Sequence, residues 1–219
     1  MAAILWSGRE EHLSAMASVY LPNECLFVID AGHGGEDGGA VSRDGTSESG
    51  INLEISLRFR DLMHFFGKKT AMIRSEDISV STPGLETFRQ RKASDLKNRV
   101  DFVNSRTNAI LISIHQNSLP SVPSVHGAQV FYNTKTGAQE LAERIQDALN
   151  LTINQANEKT TRQIPDSIYL MKHSNAPAVL IECGFLSNTA ETAMLKLSSH
   201  QIRLAASILS GVLVEPEHI

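Results

Sequence analysis

Six segments of this sequence are predicted as β-strands, and most of them are continuous apolar runs without the polar–apolar alternation of a half-exposed strand. A strand that is apolar on both faces needs cover on both faces, which is typical of central strands in a largely parallel sheet. The predicted strands are Leu26–Asp30, Thr70–Arg74, Ala109–His115, Ala128–Tyr132, Ser167–Met171 and Ala178–Glu182.

Segments with helical periodicity lie between most of these strands. In the third predicted helix, apolar residues recur on one face at helical spacing. At the start of the last helix, Ser198 followed by Gln201 resembles a capping box. Strands that alternate with helices predict a single α/β domain with a largely parallel sheet. The predicted helices are Ile51–Phe66, Ala93–Ser105, Gly137–Leu151, Thr189–Leu197 and Ser199–Leu213.

The composition is that of an ordinary globular protein. The chain has 219 residues, of which 42% are apolar and 20% charged, enough for one domain with a buried core. A net charge of −4 without any basic run argues against a nucleic-acid partner. No stretch of the sequence reaches the roughly 20 apolar residues of a membrane span. The cysteines, Cys25 and Cys183, are best interpreted as buried free thiols.

The first 24 residues differ from the rest of the sequence. They open with MAAILW, which is apolar but shorter than the apolar core of about 7–15 residues in a secretion signal. A polar stretch follows. We interpret residues 1–24 as a linker or as the remnant of an N-terminal anchor or signal, with a frayed terminus as the alternative, and residues 25–219 as the folded domain.

Polar residues stand at the carboxyl ends of several predicted strands, the edge of an open α/β sheet where active sites gather. Asp30 ends the first strand and leads into His33, which lies among the glycines of GHGGEDGG. His115 ends the third strand, and Glu182 ends the last. Glu48 lies in the loop between His33 and the first predicted helix. We therefore expect these side chains to converge at one edge of the sheet.

Each of these residues has a simpler interpretation when it is considered alone. A single histidine at a strand end is more often a hydrogen-bonded structural residue than a metal ligand, and Glu48 beside a helix start resembles a cap. Glu182 is different, because a carboxylate in an apolar strand must face a cleft or meet a cation.

The four side chains together make chemical sense as a metal site. Two histidines and one glutamate are a known catalytic zinc set that leaves the fourth position for water. A further carboxylate nearby can accept a proton from that water. The glycines around His33 let the backbone approach the metal closely. A phosphate-binding loop is the rival interpretation, but the segment lacks GxxxxGK[ST] and no helix opens directly after the glycines.

Four motifs resemble, in order and spacing, those of the zinc-dependent N-acetylmuramoyl-L-alanine amidases of bacterial cell walls. They are VIDAGHGGEDGGA, the SES of TSESGINLEIS, SIHQNS and AVLIECGFLSN. The resemblance covers nearly the whole chain, from about Leu26 to Val214. It implies a mixed sheet with helices on both faces, and it makes residues 25–219 a catalytic domain that cleaves the amide bond between the lactyl group of N-acetylmuramic acid and L-alanine.

The same resemblance implies a role for each of the four residues. His33, Glu48 and His115 correspond to the ligands of one Zn²⁺, and Glu182 corresponds to the catalytic carboxylate. One departure is Ala31, which stands where the family often has proline. This removes a rigid backbone angle but changes no ligand.

A narrower resemblance is to the germination-specific CwlD subgroup of spore formers, carried by ETFRQRKASDLKNRVDFVN and HQNSLPSVPSVHGAQVFYN. It implies action on spore cortex peptidoglycan, where removal of the stem peptide allows a separate muramic acid deacetylase to help form muramic-δ-lactam. It also implies an extracytoplasmic location, with membrane anchoring in a full-length protein. A loosely held metal site would allow activity to depend on an accessory protein. The subgroup usually carries an N-terminal anchor, of which only MAAILW resembles a remnant.

Other polar residues are assigned weaker roles. Asn117 and Arg162 are candidate substrate contacts, with a strand-end turn and a solvated surface charge as their alternatives. Asp30 and Glu36 are candidate hydrogen-bond partners of the ligand histidines. Two other functions remain open, namely another zinc hydrolase such as a peptidase or deacetylase, and a non-catalytic or partner-dependent peptidoglycan-binding homologue.

Overall fold

The computed structural model describes residues 25–214, which form one α/β domain around a six-stranded sheet, as the sequence predicts. The predicted division at residue 24 concerns a segment outside the described residues. The strands lie in the spatial order β2-β1-β3-β6-β4-β5. Their bounds are β1 Leu26–Ala31, β2 Thr70–Met72, β3 Ala109–Asn117, β4 Gln129–Tyr132, β5 Arg162–Gln163 and β6 Ala178–Phe185.

The sheet is mixed, as expected, with a parallel centre. Strand β1 pairs in parallel with β2 and β3, and β3 pairs in parallel with β6. Strand β4 runs antiparallel to β6 and carries the short β5 parallel to itself at the edge. The carboxyl ends of β1, β3 and β6 therefore lie side by side, and this edge of the sheet holds His33, His115 and Glu182.

Helices cover both faces of the sheet. The side chains of Phe27 and Ile29 point to the face covered by α1, α3 and α6, whereas Val28 between them points to the face covered by α2 and α4. This explains why the central strands are apolar without alternation. The helices are α1 Glu48–Phe65, α2 Phe88–Asn104, α3 Ala138–Thr152, α4 Tyr169–His173, α5 Thr189–Leu195 and α6 Ser198–Leu213.

The segment Ser167–Met171, predicted as a strand, is instead a turn followed by the short helix α4. The amide of Ile168 donates to the carbonyl of Pro165 at 3.1 Å, which bends the chain before it can extend. Leu170 and Met171 are buried beneath α2. A short apolar run fits a buried helical turn as well as a strand, so periodicity could not separate the two. Strand β5 went unpredicted because both of its residues are polar and exposed.

The capping box predicted at Ser198 and Gln201 is also wrong. Ser198 is already the first residue of α6 and makes no capping bond, and the Gln201 side chain donates to the carbonyl of Leu195 at 2.8 Å. A capping box exists at the start of α2, where Thr87 and Gln90 each accept the other's backbone N–H. Because of this capping box, α2 begins at Phe88, five residues before the predicted start at Ala93. The helix therefore extends about one more turn towards the edge of the sheet.

The expectation that both cysteines are buried free thiols is met in part. Cys25 and Cys183 are both free thiols, but only Cys183 is fully buried, since Cys25 lies half-buried just before β1. Within residues 25–214, no helix has the length and apolar character needed to cross a lipid bilayer.

The contact between α3 and α6 predicts a sharp difference between two glycine substitutions. A methyl group at Gly211 would lie 2.4 Å from the Cα of Ile145, whereas a methyl group at Gly50 in α1 would have its nearest neighbour, the Ser47 hydroxyl, at 3.9 Å. We expect Gly211→Ala to lower the free energy of unfolding by about 1–3 kcal/mol, because the two helix backbones must separate. The matched control Gly50→Ala should be neutral or stabilising by up to about 1 kcal/mol. Urea denaturation measures both, and equal effects would contradict this close approach.

Candidate active site

Three predicted ligands meet at the carboxyl end of the sheet. His33 follows β1, His115 lies near the end of β3, and Glu48 is the first residue of α1. The carboxylate of Glu48 lies between the two rings, with Oε2 at 3.3 Å from His33 Nε2 and Oε1 at 2.9 Å from His115 Nδ1. One ligand atom from each residue lies within 4.8 Å of the other two. The three side chains therefore form a group that could hold a metal ion.

Hydrogen bonds hold the Glu48 carboxylate in place. The backbone amide of Ala40 donates to Oε2 at 2.9 Å, and the amide of Gln116 donates to Oε1 at 3.0 Å. Asn52, one turn further along α1, donates to Oε1 at 3.1 Å. Burial alone would raise the pKa of Glu48, but hydrogen bonds and charge from His115 and His33 outweigh it and place this pKa far below the usual range. Glu48 is thus an ionised, oriented carboxylate.

The orientation of His33 comes from Asp37. His33 has a positive φ of 62°, uncommon for a residue with a side chain, and its Nδ1 lies 3.0 Å from Asp37 Oδ2. This contact turns Nε2 towards Glu48. Burial lowers the pKa of His33, but the hydrogen bond and charge of Glu48, aided by Asp37, raise it to about 9.

The expected partners of the histidines, Asp30 and Glu36, have other roles. Asp30 pairs with Arg99 and accepts the Ser113 hydroxyl at 2.6 Å, while Glu36 pairs with Arg91. Both carboxylates are close to His33 along the sequence, but neither contacts its ring. The sequence alone does not show which of the three nearby acidic residues, Asp30, Glu36 or Asp37, faces the imidazole.

Two glycines leave the space that the ligands occupy. A Cβ at Gly32 would lie 2.2 Å from Cε1 of His115, and a Cβ at Gly39 would lie 2.5 Å from Glu48 Oε2. Gly39 also has a φ of 69°, in the left-handed region that favours glycine. The glycine-rich loop therefore lets the backbone pass directly beside the ligand side chains.

Two buried arginines, which the sequence analysis did not single out, hold the backbone of the ligand loop. Arg74 donates to the carbonyl of Ala31 at 2.8 Å and, through Nη2, to those of Gly32 and Ser49, both at 2.9 Å. Arg99 donates to the carbonyl of Ala31 at 3.0 Å and to that of His33 at 2.7 Å. Each arginine is only 2% exposed. Three successive carbonyls are thus fixed by guanidinium groups, whose several rigid donors suit this task.

Glu182 completes the group from the neighbouring strand. It pairs in register with His115 across β3 and β6, and part of its side chain reaches the cleft. Its Oε2 is buried without a hydrogen-bond partner among the described residues. Burial raises the pKa of Glu182 to about 7, with Glu48 adding to the rise and the two histidines opposing it. This carboxylate can therefore hold or release a proton near neutral pH.

A cleft of about 310 Å³ opens above these residues. Its floor contains the three ligands and Glu182, and its two sides come from α2 and from the segment around α4. Neither Asn117 nor Arg162 lines it. Asn117 accepts the amide of Ser118 at 2.8 Å, and Arg162 is exposed on the edge strand β5. Their assignment as substrate contacts stays a prediction.

The arginine contacts predict an effect on metal affinity. In Arg74→Lys a single ammonium replaces the guanidinium that holds the carbonyls of Ala31, Gly32 and Ser49. We expect Zn²⁺ affinity to fall about 10–100-fold, because groups that hold the backbone beside the predicted ligands fix the orientation of those ligands. Competition with a chelator measures this affinity, and circular dichroism checks that the variant is folded. The control Arg60→Lys changes an arginine paired with Asp61 on α1. A folded Arg74→Lys variant with unchanged affinity would contradict this role.

The chain is similar in sequence to bacterial N-acetylmuramoyl-L-alanine amidases. The germination-specific N-acetylmuramoyl-L-alanine amidase of Bacillus subtilis (strain 168) is 38% identical over 189 residues, which cover 86% of this chain and 78% of that protein. The amidase LytC of the same organism is 30% identical over 193 residues, covering 86% of this chain but only 34% of LytC.

Solved structures show the same similarity in three dimensions. The CwlD amidase from Clostridioides difficile, determined in complex with the GerS lipoprotein, superposes with a TM-score of 0.82 at 37% identity, covering 86% of this chain and 96% of that one. An N-acetylmuramoyl-L-alanine amidase from Clostridium difficile 630 gives a TM-score of 0.75 at 27% identity, with 87% and 96% covered.

The resemblance seen in the sequence motifs is thus confirmed at the level of the whole domain. The family described as N-acetylmuramoyl-L-alanine amidase matches residues 27–214, which include His33, Glu48, His115 and Glu182. The chain therefore belongs to the N-acetylmuramoyl-L-alanine amidase family.

Proposed function

We propose that this protein is a zinc-dependent peptidoglycan hydrolase that cleaves the amide bond between the lactyl group of N-acetylmuramic acid and L-alanine of the stem peptide. The observation that carries the proposal is the unpartnered carboxylate of Glu182 beside the group His33, Glu48 and His115. Membership of the amidase family supports the reaction type.

The donor set fits one Zn²⁺ per chain. His33 Nε2, His115 Nδ1 and a Glu48 oxygen would hold the ion, and such a set of two histidines and one carboxylate leaves a position open. When bound, zinc supplies Lewis-acid polarisation of a carbonyl and lowers the pKa of water. The Asp37 carboxylate beside His33 Nδ1 is the kind of partner that fixes the tautomer of a ligand histidine.

We assign Glu182 as the general base and acid. No residue between 25 and 214 donates a hydrogen bond to its Oε2, and its pKa of about 7 suits proton transfer in both directions near neutral pH. In this scheme Oε2 takes a proton from the attacking water and passes it to the leaving nitrogen of L-alanine. Leu180, on the same face of β6, and Met171 of α4 are buried and line the same cleft, so apolar side chains adjoin this carboxylate.

The chain's role in the cell is proposed from its relatives. A germination-specific relative supports action on spore cortex, where peptide removal would precede muramic acid deacetylation and muramic-δ-lactam formation. This substrate implies an extracytoplasmic location in the wall or forespore envelope. The structure of a CwlD amidase with a lipoprotein supports partner dependence as part of this proposal.

Substitution of Glu182 tests the catalytic assignment. We expect Glu182→Gln to lower kcat by at least about 100-fold, because the amide cannot accept the proton, while one zinc per chain is retained. His115→Ala should lose zinc as well as activity, since it removes a ligand. Elemental analysis gives the zinc content, and mass analysis gives the products from peptidoglycan.

The matched control is Glu143→Gln on the exposed face of α3, which should leave zinc content and kcat unchanged. Near-normal turnover by Glu182→Gln would show that another group is the base. The products also separate the reaction classes. An amidase releases peptides with a free N-terminal L-alanine, whereas a deacetylase releases acetate.

A comparison of two walls tests the cortex assignment. We expect purified protein, supplied with the lipoprotein partner of a CwlD relative where needed, to release L-alanine-ended peptides from spore cortex faster than from vegetative wall. Equal rates on both walls would contradict a cortex-specific role while leaving the amidase assignment intact.

A further inference from the structure

The two sides of the active-site cleft differ in chemistry. The side formed by α4 and the residues before it is largely apolar, and Ile168 and Tyr169 are 37% and 40% exposed there. The side formed by α2 presents Lys92. An ionised group of a substrate would lose hydration against the apolar side without gaining a partner, so it would be placed against α2.

Lys92 is the cation on this cleft that has donors to spare. Arg99 also lines the cleft, but it is buried and its donors go to Asp30, Asp95 and backbone carbonyls. The Lys92 side chain is 44% exposed, and its Nζ lies 3.2 Å from Asp37 Oδ2 and 5.9 Å from the ring centre of Phe88. An ammonium group has three donors, of which Asp37 takes one.

Lys92 is positioned to contact a substrate group that lies just beyond the scissile bond. Lys92 contacts Asp37, and Asp37 contacts the ligand His33, so the ammonium lies two hydrogen-bond steps from the metal group. An extended peptide advances about 3.5 Å per residue. A carboxylate one or two residues beyond the reacting carbonyl would therefore come within reach of Lys92 Nζ.

We propose that Lys92 binds a carboxylate of the stem peptide, so that the leaving peptide lies along α2 and the saccharide lies against the apolar side at α4. The residue after L-alanine in the stem peptide is a glutamyl unit, whose α-carboxyl group occurs free or as an amide. Lys92 distinguishes these two forms and favours the free carboxylate. This inference rests on the proposed amidase function.

Other cations near the cleft are less suited to this role. Lys172 pairs with Asp166 at 3.3 Å and lines a separate pocket, and Arg162 lies on the edge strand β5. The apolar side is suited to the other half of the substrate, since Tyr169 offers an aromatic face with a polar tip. Its ring packs on that of His173 with centres 4.3 Å apart, which restrains its orientation.

A pair of synthetic muropeptides tests the proposal. They share the saccharide and the peptide and differ only in having a free α-carboxylate or an amide on the second residue. We expect the wild-type protein to favour the carboxylate about tenfold in kcat/KM, mainly through KM, as befits one partly exposed charged hydrogen bond. Lys92→Met should abolish this preference, so that the carboxylate and amide forms are cleaved with equal kcat/KM. Lys97→Met, on the same helix but outside the cleft, should retain the preference.

Binding separates this proposal from the proposed reaction. Calorimetry of both muropeptides in the Glu182→Gln background needs no turnover, and there too the carboxylate form should bind about tenfold more tightly only while Lys92 is present. If Lys92→Met lowered kcat/KM and affinity for both muropeptides by the same factor, the proposal would be overturned. Lys92 would then be assigned to positioning His33 through Asp37. A preference that survives Lys92→Met would overturn it as well. Carboxylate-selective binding without any cleavage by the wild type would leave Lys92 supported and contradict the amidase reaction instead.

Discussion

The carboxylate of Glu48 is the group on which the rest of the site depends. It approaches both histidines, and it is held by the backbone amide of Ala40 in the loop after β1, by that of Gln116 in β3 and by Asn52 of its own helix. A buried carboxylate without such partners would be strongly unfavourable. Its position also links elements that are far apart in the sequence, because the start of α1 must lie against the ends of β1 and β3 for these contacts to form.

The residues around Glu48 help to bring the site side chains together in two different ways. Gly32 and Gly39 remove the side chains that would fill the space of His115 and Glu48, so the loop can pass close to them. Arg74 and Arg99 then fix that loop through its carbonyl groups. Glycine alone would leave the loop with many conformations, and the buried arginines select one of them.

Much of the fold and the convergence of four polar side chains at one edge of the sheet could be predicted from the sequence, because continuous apolar strands and polar residues at their ends are local patterns. His33, Glu48, His115 and Glu182 could be singled out in this way. The contacts between distant segments could not be predicted, because nothing in the sequence distinguishes Arg74 and Asp37 from ordinary surface charges. Elements α4 and β5 escaped prediction for a different reason, because segments this short carry too little periodicity to identify.

The most direct test of the central claim is the location of bound zinc in crystals of the protein by anomalous X-ray diffraction at the zinc edge. The geometry predicts one anomalous peak, about 2.0–2.2 Å from a nitrogen of His33, a nitrogen of His115 and an oxygen of Glu48, with Glu182 beside it but not bound to it. A peak ligated by Glu182 in place of Glu48, or no peak at this edge of the sheet after zinc is supplied, would contradict the assignment of ligands and base.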